Sequence, residues 1–418
     1  VRYNFQIMSN TELLGLEWKN KLIDDLGLEK YNRLFSKSIE DVVISPYYTE
    51  NNQPINLLIP DQWNILGEIK EVKFIEACNE INEFLKNDIN HITLNHSPKL
   101  DTKKIIQKFN NSDVIFFIKT DFANDLDKFK NNTHFIIFEQ RLENDKILEL
   151  QDIDNKNFKI NINSASVRNK GANIIQEISF MLSLANEYLN IYGCNIAKHI
   201  SFELTQGSNY FFEISKIQVL RILWSIITNE HGQQIDDTII TSIPSLRNKT
   251  IKNYNNNIIR STSECISGIL GGCNFIKSIP YDSLFNEKNE FSQRIMNNQL
   301  LILKNETHLD KVSNAIEGCY YINDLIRNIS EKSLSLFKKI EKNGGYFESH
   351  KNGFIKEQIE QNNRLENSFY DSNKNILVGF NKYIDDSKII SEEHLLELKK
   401  KSKILNMDIE RIAKTELK

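Results

Sequence analysis

Residues 268–282 read GILGGCNFIKSIPYD, a glycine pair followed by a short apolar run. Either the pair cradles a phosphate or it turns the chain from a helix into a strand. A phosphate loop places its glycines after a strand and before a helix, so that free N–H groups at the helix N-terminus point at the anion. Here the order is reversed. The amphipathic stretch RSTSECISGIL (260–270) comes first, and the strand expected over Phe275 to Ile279 comes after. Gly271 and Gly272 therefore read as a helix C-cap and turn, one joint of an alternating chain.

Working outward, the same alternation recurs. Strands are expected at Ile65 to Ile69, His91 to Leu94, Asp113 to Ile118, Thr133 to Phe138, Phe158 to Ala165, His199 to Leu204, Thr238 to Ile243 and Phe275 to Ile279. Helical patterns lie between most of them, at 72–87, 102–110, 171–190, 209–228 and 260–270. The clearest puts Tyr210, Ile214, Ile217, Leu220, Trp224 and Ile227 on one face at three- and four-residue steps. Repeated strand-helix units closing at eight predict an α/β fold, an eight-stranded (β/α) TIM-type barrel. The fourth unit, around RLENDKILEL (141–150), is short and irregular, and an open doubly wound sheet is the alternative. The expected division is an N-terminal helix and extended arm over 1–62, the barrel over 63–310 and a helical region over 311–418.

A barrel's binding face lies at the C-terminal ends of its strands. ELTQGSNYFF (203–212) runs from strand through Gly207 into a helix, with Ser208 or Asn209 as N-cap. It is the better anion site, although a plain cap has the same pattern. Tyr281 and Asp282 also follow a strand, with no partner evident in the sequence. The arm carries Trp18, Pro46, Tyr47 and Tyr48 outside the core pattern. Such residues serve internal packing or an interface.

Composition narrows the function classes. With 52 Lys+Arg against 56 Asp+Glu the net charge is −4, so no overall basic field draws the chain to nucleic acid or anionic lipid. ELKKKSK (397–403) reads as the solvated face of a helix. The five cysteines are scattered and never spaced C-x-x-C, against both a disulfide framework and a zinc site. Together with the lack of a signal-peptide layout or a membrane-length run, this predicts a cytoplasmic protein. Residues 1–7 read as a leader or an alternative start before Met8.

Four segments together resemble the methylmalonyl-CoA mutase family of adenosylcobalamin-dependent isomerases. They are SNYFFEISKIQVLRILW (208–224), IIRSTSECISGILGGCNFIKSIPYD (258–282), FSQRIMNNQLLILKNETHLDKVSNAIEGCYYI (291–322) and GANIIQEISFMLSLANEYL (171–189). EKYNRLFSKSIEDVVISPYYTENN (29–52) and NILVGFNKYID (375–385) are similar to the family's weaker flanking pieces, whereas 64–160 match poorly. The resemblance implies the same barrel.

The departures from the family's catalytic pattern say which member this resembles. Catalytic chains carry a Tyr-His pair at a strand end shortly before the Gly-Ala that opens the next helix, and counting back from Gly171 puts Ala165 and Ser166 there. Neither can position a thioester carbonyl or shield radicals. Arg168 and Lys170 could hold an anion, but read more simply as solvated helix-start residues. The long Arg- and Tyr-containing segment that threads CoA has only Glu50 to Gln62 in its place. Cobalamin-binding chains append a flavodoxin-like domain with D-x-H-x-x-G, and none of the eight histidines here has Asp two positions before it. ESHKNG (348–353) comes nearest, and His350 reads as an exposed linker residue. His199 and His308 read as structural.

The resemblance therefore implies the small, or β, chain, with no cobalamin-binding domain and no catalytic, cofactor or metal residue of its own. Ala165, Ser166, Arg168, Ser208 and Asn209 would line a vestigial pocket. Trp18, Pro46, Tyr47 and Tyr48 would contact a large (α) chain that carries adenosylcobalamin, forming a heterodimer with it. The alternatives are a free-standing barrel enzyme acting on another acyl-CoA or anionic substrate through Arg168, Ser208, Asn209 and Asp282, and a chaperone-like binder of the catalytic chain.

Overall fold

Runs that alternate inward and outward in a pleated strand can close a sheet on itself only if every strand keeps one face for the lumen and one for the helices. In the computed structural model, which describes residues 15–49, 55, 59–69, 73–96, 100–110, 112–120, 135–144, 146–147, 157–286, 289–384 and 392–405, the eight expected runs do this. They are β1 (Asn64–Ile69), β2 (His91–Asn95), β3 (Ile115–Thr120), β4 (Phe135–Arg141), β5 (Phe158–Asn163), β6 (Ile200–Gln206), β7 (Ile240–Pro244) and β8 (Phe275–Ile276). Each pairs in parallel with the next, and β8 returns to β1 through Phe275↔Asn64 and Ile276↔Ile65. That last pairing closes the barrel and excludes the open doubly wound sheet.

The strand expected over Phe158 to Ala165 stops at Asn163, and Ala165 opens a helix instead. The leader reading of residues 1–7, positions 145 and 148–150 of RLENDKILEL and most of Glu50 to Gln62 lie outside the described residues.

Outward-facing Ile65, Ile69, Ile92, Leu94, Phe116, Ile118, Ile136 and Phe138 join the main core with the helices. Inward-facing Leu66, Phe117, Ile137 and Phe275 form a separate cluster that fills the lower lumen. There Phe117 stacks on Phe135 and meets Phe275 edge-on, both at 5.0 Å between ring centroids.

The helices are α1 (Phe74–Lys86), α2 (Thr102–Lys108), α3 (Ala165–Lys170), α4 (Ile174–Tyr192), α5 (Tyr210–Glu230), α6 (Asn256–Leu270), α7 (Glu290–Asn305), α8 (Tyr320–Lys342), α9 (Gly345–Lys351), α10 (Phe354–Asp371) and α11 (Glu392–Leu405). Helix α4 is apolar almost all round because it is covered on both sides: α8 lays Ile322, Leu325, Ile326, Ile329, Leu336 and Ile340 into the same core. Helix α11 buries Leu398 against Ile251, Leu284 and Phe285, in the loops after β7 and β8.

At the glycine pair, Gly271 is the C-cap of α6 and Gly272 takes φ 87°, a left-handed value that disfavours any side chain. Their N–H groups close the end of α6, Gly271 N donating to Ser267 O at 2.9 Å and Gly272 N to Ile269 O at 3.0 Å, and their carbonyls face α5. Gly271 O accepts from Gln218 Nε2 at 2.6 Å and Gly272 O from Arg221 Nη2 at 2.8 Å. Arg221 is buried, and desolvation pulls its guanidinium down to about 10. The pair is a turn locked from α5, as the order of elements predicts.

Among the described residues no helix is long and apolar enough to cross a membrane.

Candidate functional site

The end of β5 is where the resemblance places the missing Tyr-His pair. Asn163 Oδ1 accepts from Ala165 N at 2.8 Å and so starts α3 directly after the strand. Ala165 and Ser166 sit half-buried in its first turn, and Ser166 Oγ is buried without a hydrogen-bond partner. Arg168, one turn on, is not the solvated residue the sequence suggests. Its side chain is 13% exposed, with Nε 3.2 Å from Glu177 Oε2 and Nη2 2.9 Å from Glu213 Oε1. Burial opposes the guanidinium's charge, but Glu177, Glu213, Glu366 and Glu40 outweigh it and raise its pKa.

Lys216 completes the cluster. It lies on α5 fully buried, with Nζ donating to Glu177 Oε2 at 3.0 Å and to Thr205 O at 2.7 Å, and it pairs with Glu213 one turn before. Ser164 Oγ donates to Glu177 Oε1 at 2.6 Å. Two cations and two carboxylates thus neutralise one another below the β6–α5 loop. The anion favoured at the start of α5 is supplied internally, by Glu213 in its first turn. A Cβ on Gly207 would fall 2.7 Å from Glu213 Oε1, so the loop backbone rests on this pair. Ser208 and Asn209 are exposed beside it, and Asn209 occupies the N-cap with no side-chain bond. Of the five pocket residues, then, Arg168 reaches the Gly207 loop, while Ser208 and Asn209 face away from it into solvent.

Helix α10 holds this region from outside. Asn362 Nδ2 donates to Gly171 O at 2.7 Å, and Arg247, after β7, spans from Asn169 O at 3.2 Å to Glu366 Oε2 at 2.7 Å. Asp282 also has partners. It is buried and accepts from Asn286 Nδ2 at 2.8 Å and Asn289 Nδ2 at 3.0 Å, while Tyr281 stacks on Tyr254.

A second charged layer lies in the upper lumen. Lys119 Nζ is 2.6 Å from Glu139 Oε2 and 3.8 Å from Glu203 Oε2, and Lys277 Nζ is 2.9 Å from Glu203 Oε2. Asn163 Nδ2 donates to Glu203 Oε1 at 2.9 Å, and Asn95 Nδ2 to Glu68 Oε1 at 3.3 Å. Strands β1 to β6 and the residue that follows β8 contribute to this layer, which sits above the aromatic floor. Burial would depress the Lys119 ammonium, but Glu203, Glu139 and Glu68 raise its pKa above an ordinary lysine's. Burial likewise opposes the Glu139 carboxylate, yet Lys119 prevails and holds it down to about 2. A signal for this layer is present in the sequence: NILGEI, IFFIKT, FIIFEQ and ISFELT each carry one charge at the same strand phase among apolar residues.

In the arm, Trp18 stacks on Tyr47 at 4.7 Å and Tyr48 packs on Tyr321 at 4.9 Å. Tyr48 also accepts from Ser45 N through its hydroxyl at 2.9 Å. Pro46 and Tyr47 remain exposed, and Trp18 and Tyr48 are half-buried.

Among the described residues, His199 and His96 are already bonded within the fold. His199 Nδ1 bonds Phe158 O at 2.9 Å, and His96, at the rim after β2, bonds Thr102 Oγ1 at 3.0 Å. His350 is not in a linker but in α9, half-buried against the Tyr346 ring. Among the described residues no group of three or more His, Cys, Asp or Glu side chains is arranged to hold a metal ion.

The family model described as methylmalonyl-CoA mutase matches residues 144–417. The methylmalonyl-CoA mutase small subunit of Porphyromonas gingivalis is 29% identical over 244 residues, covering 56% of this chain and 40% of that protein. The methylmalonyl-CoA mutase of Rhizobium meliloti is 30% identical over 238 residues, 54% of this chain and 33% of that protein. The large subunit of Porphyromonas gingivalis is 27% identical over 180 residues, 42% of this chain and 25% of that protein. The chain thus spans two fifths or less of the length of these relatives. With the family model covering well over half of its residues and a closed parallel barrel beneath them, this chain belongs to the methylmalonyl-CoA mutase family.

Proposed function

We propose that this chain is a small, non-catalytic subunit that pairs with a longer mutase chain carrying substrate and adenosylcobalamin, and that it stabilises that chain in a heterodimer isomerising methylmalonyl-CoA. The observation that carries this reading is the state of the barrel mouth. Where a substrate pocket would need free donors and open space, Lys119, Glu139, Glu203 and Lys277 are spent on one another. Arg168 and Lys216 are likewise spent on Glu177 and Glu213. Breaking a buried pair leaves an uncompensated charge, at about 3 to 5 kcal/mol, so these groups are poor ligand-binding reserves. Two names among the relatives, a small and a large subunit from one organism, support the paired arrangement.

The pairing element we assign is the arm before the barrel, with Trp18, Pro46, Tyr47 and Tyr48 at its centre. Leu16, Leu26, Leu28 and Leu34 are exposed along the same segment and add apolar surface that a partner could cover. Val42, by contrast, is fully buried in the main core, so the informative truncation ends before the strand pair that holds it. The chain lacking residues 1–35 and carrying Pro46→Ala and Tyr47→Ala at its two exposed positions should melt cooperatively and fail to coelute with the long chain, while the full chain coelutes in equal proportion. Coelution of the truncated chain would refute the arm's role, and failure of the full chain to coelute would refute the subunit reading.

A further inference from the structure

Ser36–Lys37 and Val43–Ile44 form a two-stranded antiparallel pair that presses its turn against the barrel. Val42 enters the core there, and Ser38 Oγ accepts from Glu40 N at 3.2 Å and Val42 N at 3.3 Å. The turn also carries Glu40 inward. This side chain is 6% exposed, and its Oε2 has no hydrogen-bond partner.

The charges around Glu40 come from every element packed near it. On its own turn, Asp41 is exposed and pairs outward with Lys37, and with Lys332 of α8 at 3.2 Å. Towards the barrel stand Arg168 of α3, Glu177 of α4, and Glu213 and Lys216 of α5, already balanced as two cations and two carboxylates. Beyond Arg168, Glu366 of α10 is matched by Arg247. Adding Glu40 leaves one carboxyl more than the cations can neutralise. A bare carboxylate with an unpartnered oxygen in such a place costs far more than the neutral acid.

We propose that Glu40 is a neutral carboxylic acid in the folded chain, and that its ionisation loosens the N-terminal arm from the barrel. The surplus proton balances the buried cluster and allows the turn to dock. Burial raises the Glu40 pKa in the same direction and outweighs the opposing hydrogen bonds from its own backbone and from Ser38 and the charge of Arg168, with the nearby Glu213 adding to it. An acid bound more tightly by the docked state makes docking weaken as pH rises from the ordinary glutamate range to the raised value. This concerns the arm's hold on its own barrel and does not depend on the subunit reading.

The test is hydrogen-deuterium exchange of the peptide spanning Ser36 to Ile44, comparing the wild-type chain with Glu40→Gln from about pH 5 to about pH 9. Gln keeps the shape of the neutral acid and cannot ionise, and the ratio of the two rates cancels the intrinsic pH dependence of exchange. The ratio of wild-type to variant exchange should climb with pH, by up to about tenfold per unit. A ratio constant across the range, or faster exchange in the variant than in the wild type, would overturn the proposal. Should Glu40→Gln fail to fold, Glu40→Leu gives the same reading, and the wild type's own protection, corrected for intrinsic rates, must still fall with pH.

Discussion

Lys119 and Glu139 lie 2.6 Å apart in the lumen with little contact with water, and the energetic consequence is directional. The Glu139 carboxyl is held at about 2 against an ordinary value of 4.5. A depressed carboxyl contributes stability that is complete above its ordinary range and lost as pH falls towards the folded value. At 1.36 kcal/mol per unit that is about 3 kcal/mol. Glu139→Gln should therefore destabilise the chain by about 3 kcal/mol at pH 7 in denaturant titration, with the gap to wild type closing between about pH 4.5 and about pH 2. An equal gap across that range would mean that Glu139 does not act through its charge. The lone charge in several apolar runs was legible in the sequence, but its partner was not. Glu203 and Lys277 are brought together from β6 and the end of β8 only by barrel closure, and no local spacing encodes that. Arg168 shows the same limit: its neighbours in sequence suggest a solvated helix end, while both its carboxylate partners lie on other helices.

Helix α3 is the element on which the functional reading turns. It begins two residues after β5 because Asn163 Oδ1 accepts from Ala165 N, so the positions at which the resemblance would place a Tyr-His pair lie in a helical first turn. Restoring large rings there, with Ala165→Tyr and Ser166→His together, should lower stability by about 1 to 3 kcal/mol through overpacking. No cobalamin-dependent turnover should appear. A thermal melt paired with an isomerase assay on the double variant checks both, and turnover would show that the site needs only its two rings. Elements were more legible than contacts. The strands and the turn at Gly271 and Gly272 follow from periodicity and the order of helix and strand, which are local properties. The end of β5 was misplaced by two residues because the cap comes from an Asn side chain that reads equally well as part of the strand.

Across the whole molecule, an apolar floor and a self-paired charged layer fill the lumen of the barrel, and α10 clamps the loops after β5 and β7 from outside. The arm outside the barrel meanwhile exposes Leu16, Leu26, Leu28, Leu34 and Tyr47. Closure of the sheet was legible from eight runs in alternation, whereas the filling of the lumen depended on which face each strand turned inward. The central claim is that this chain does not itself catalyse the isomerisation. The most direct measurement is turnover of methylmalonyl-CoA by the purified chain with adenosylcobalamin, free of any long mutase chain, alongside the same assay after the long chain is added. The expected result is no turnover and no retained corrin from the chain alone, with activity appearing only in the mixture. Cobalamin-dependent isomerisation by the chain alone would contradict the claim.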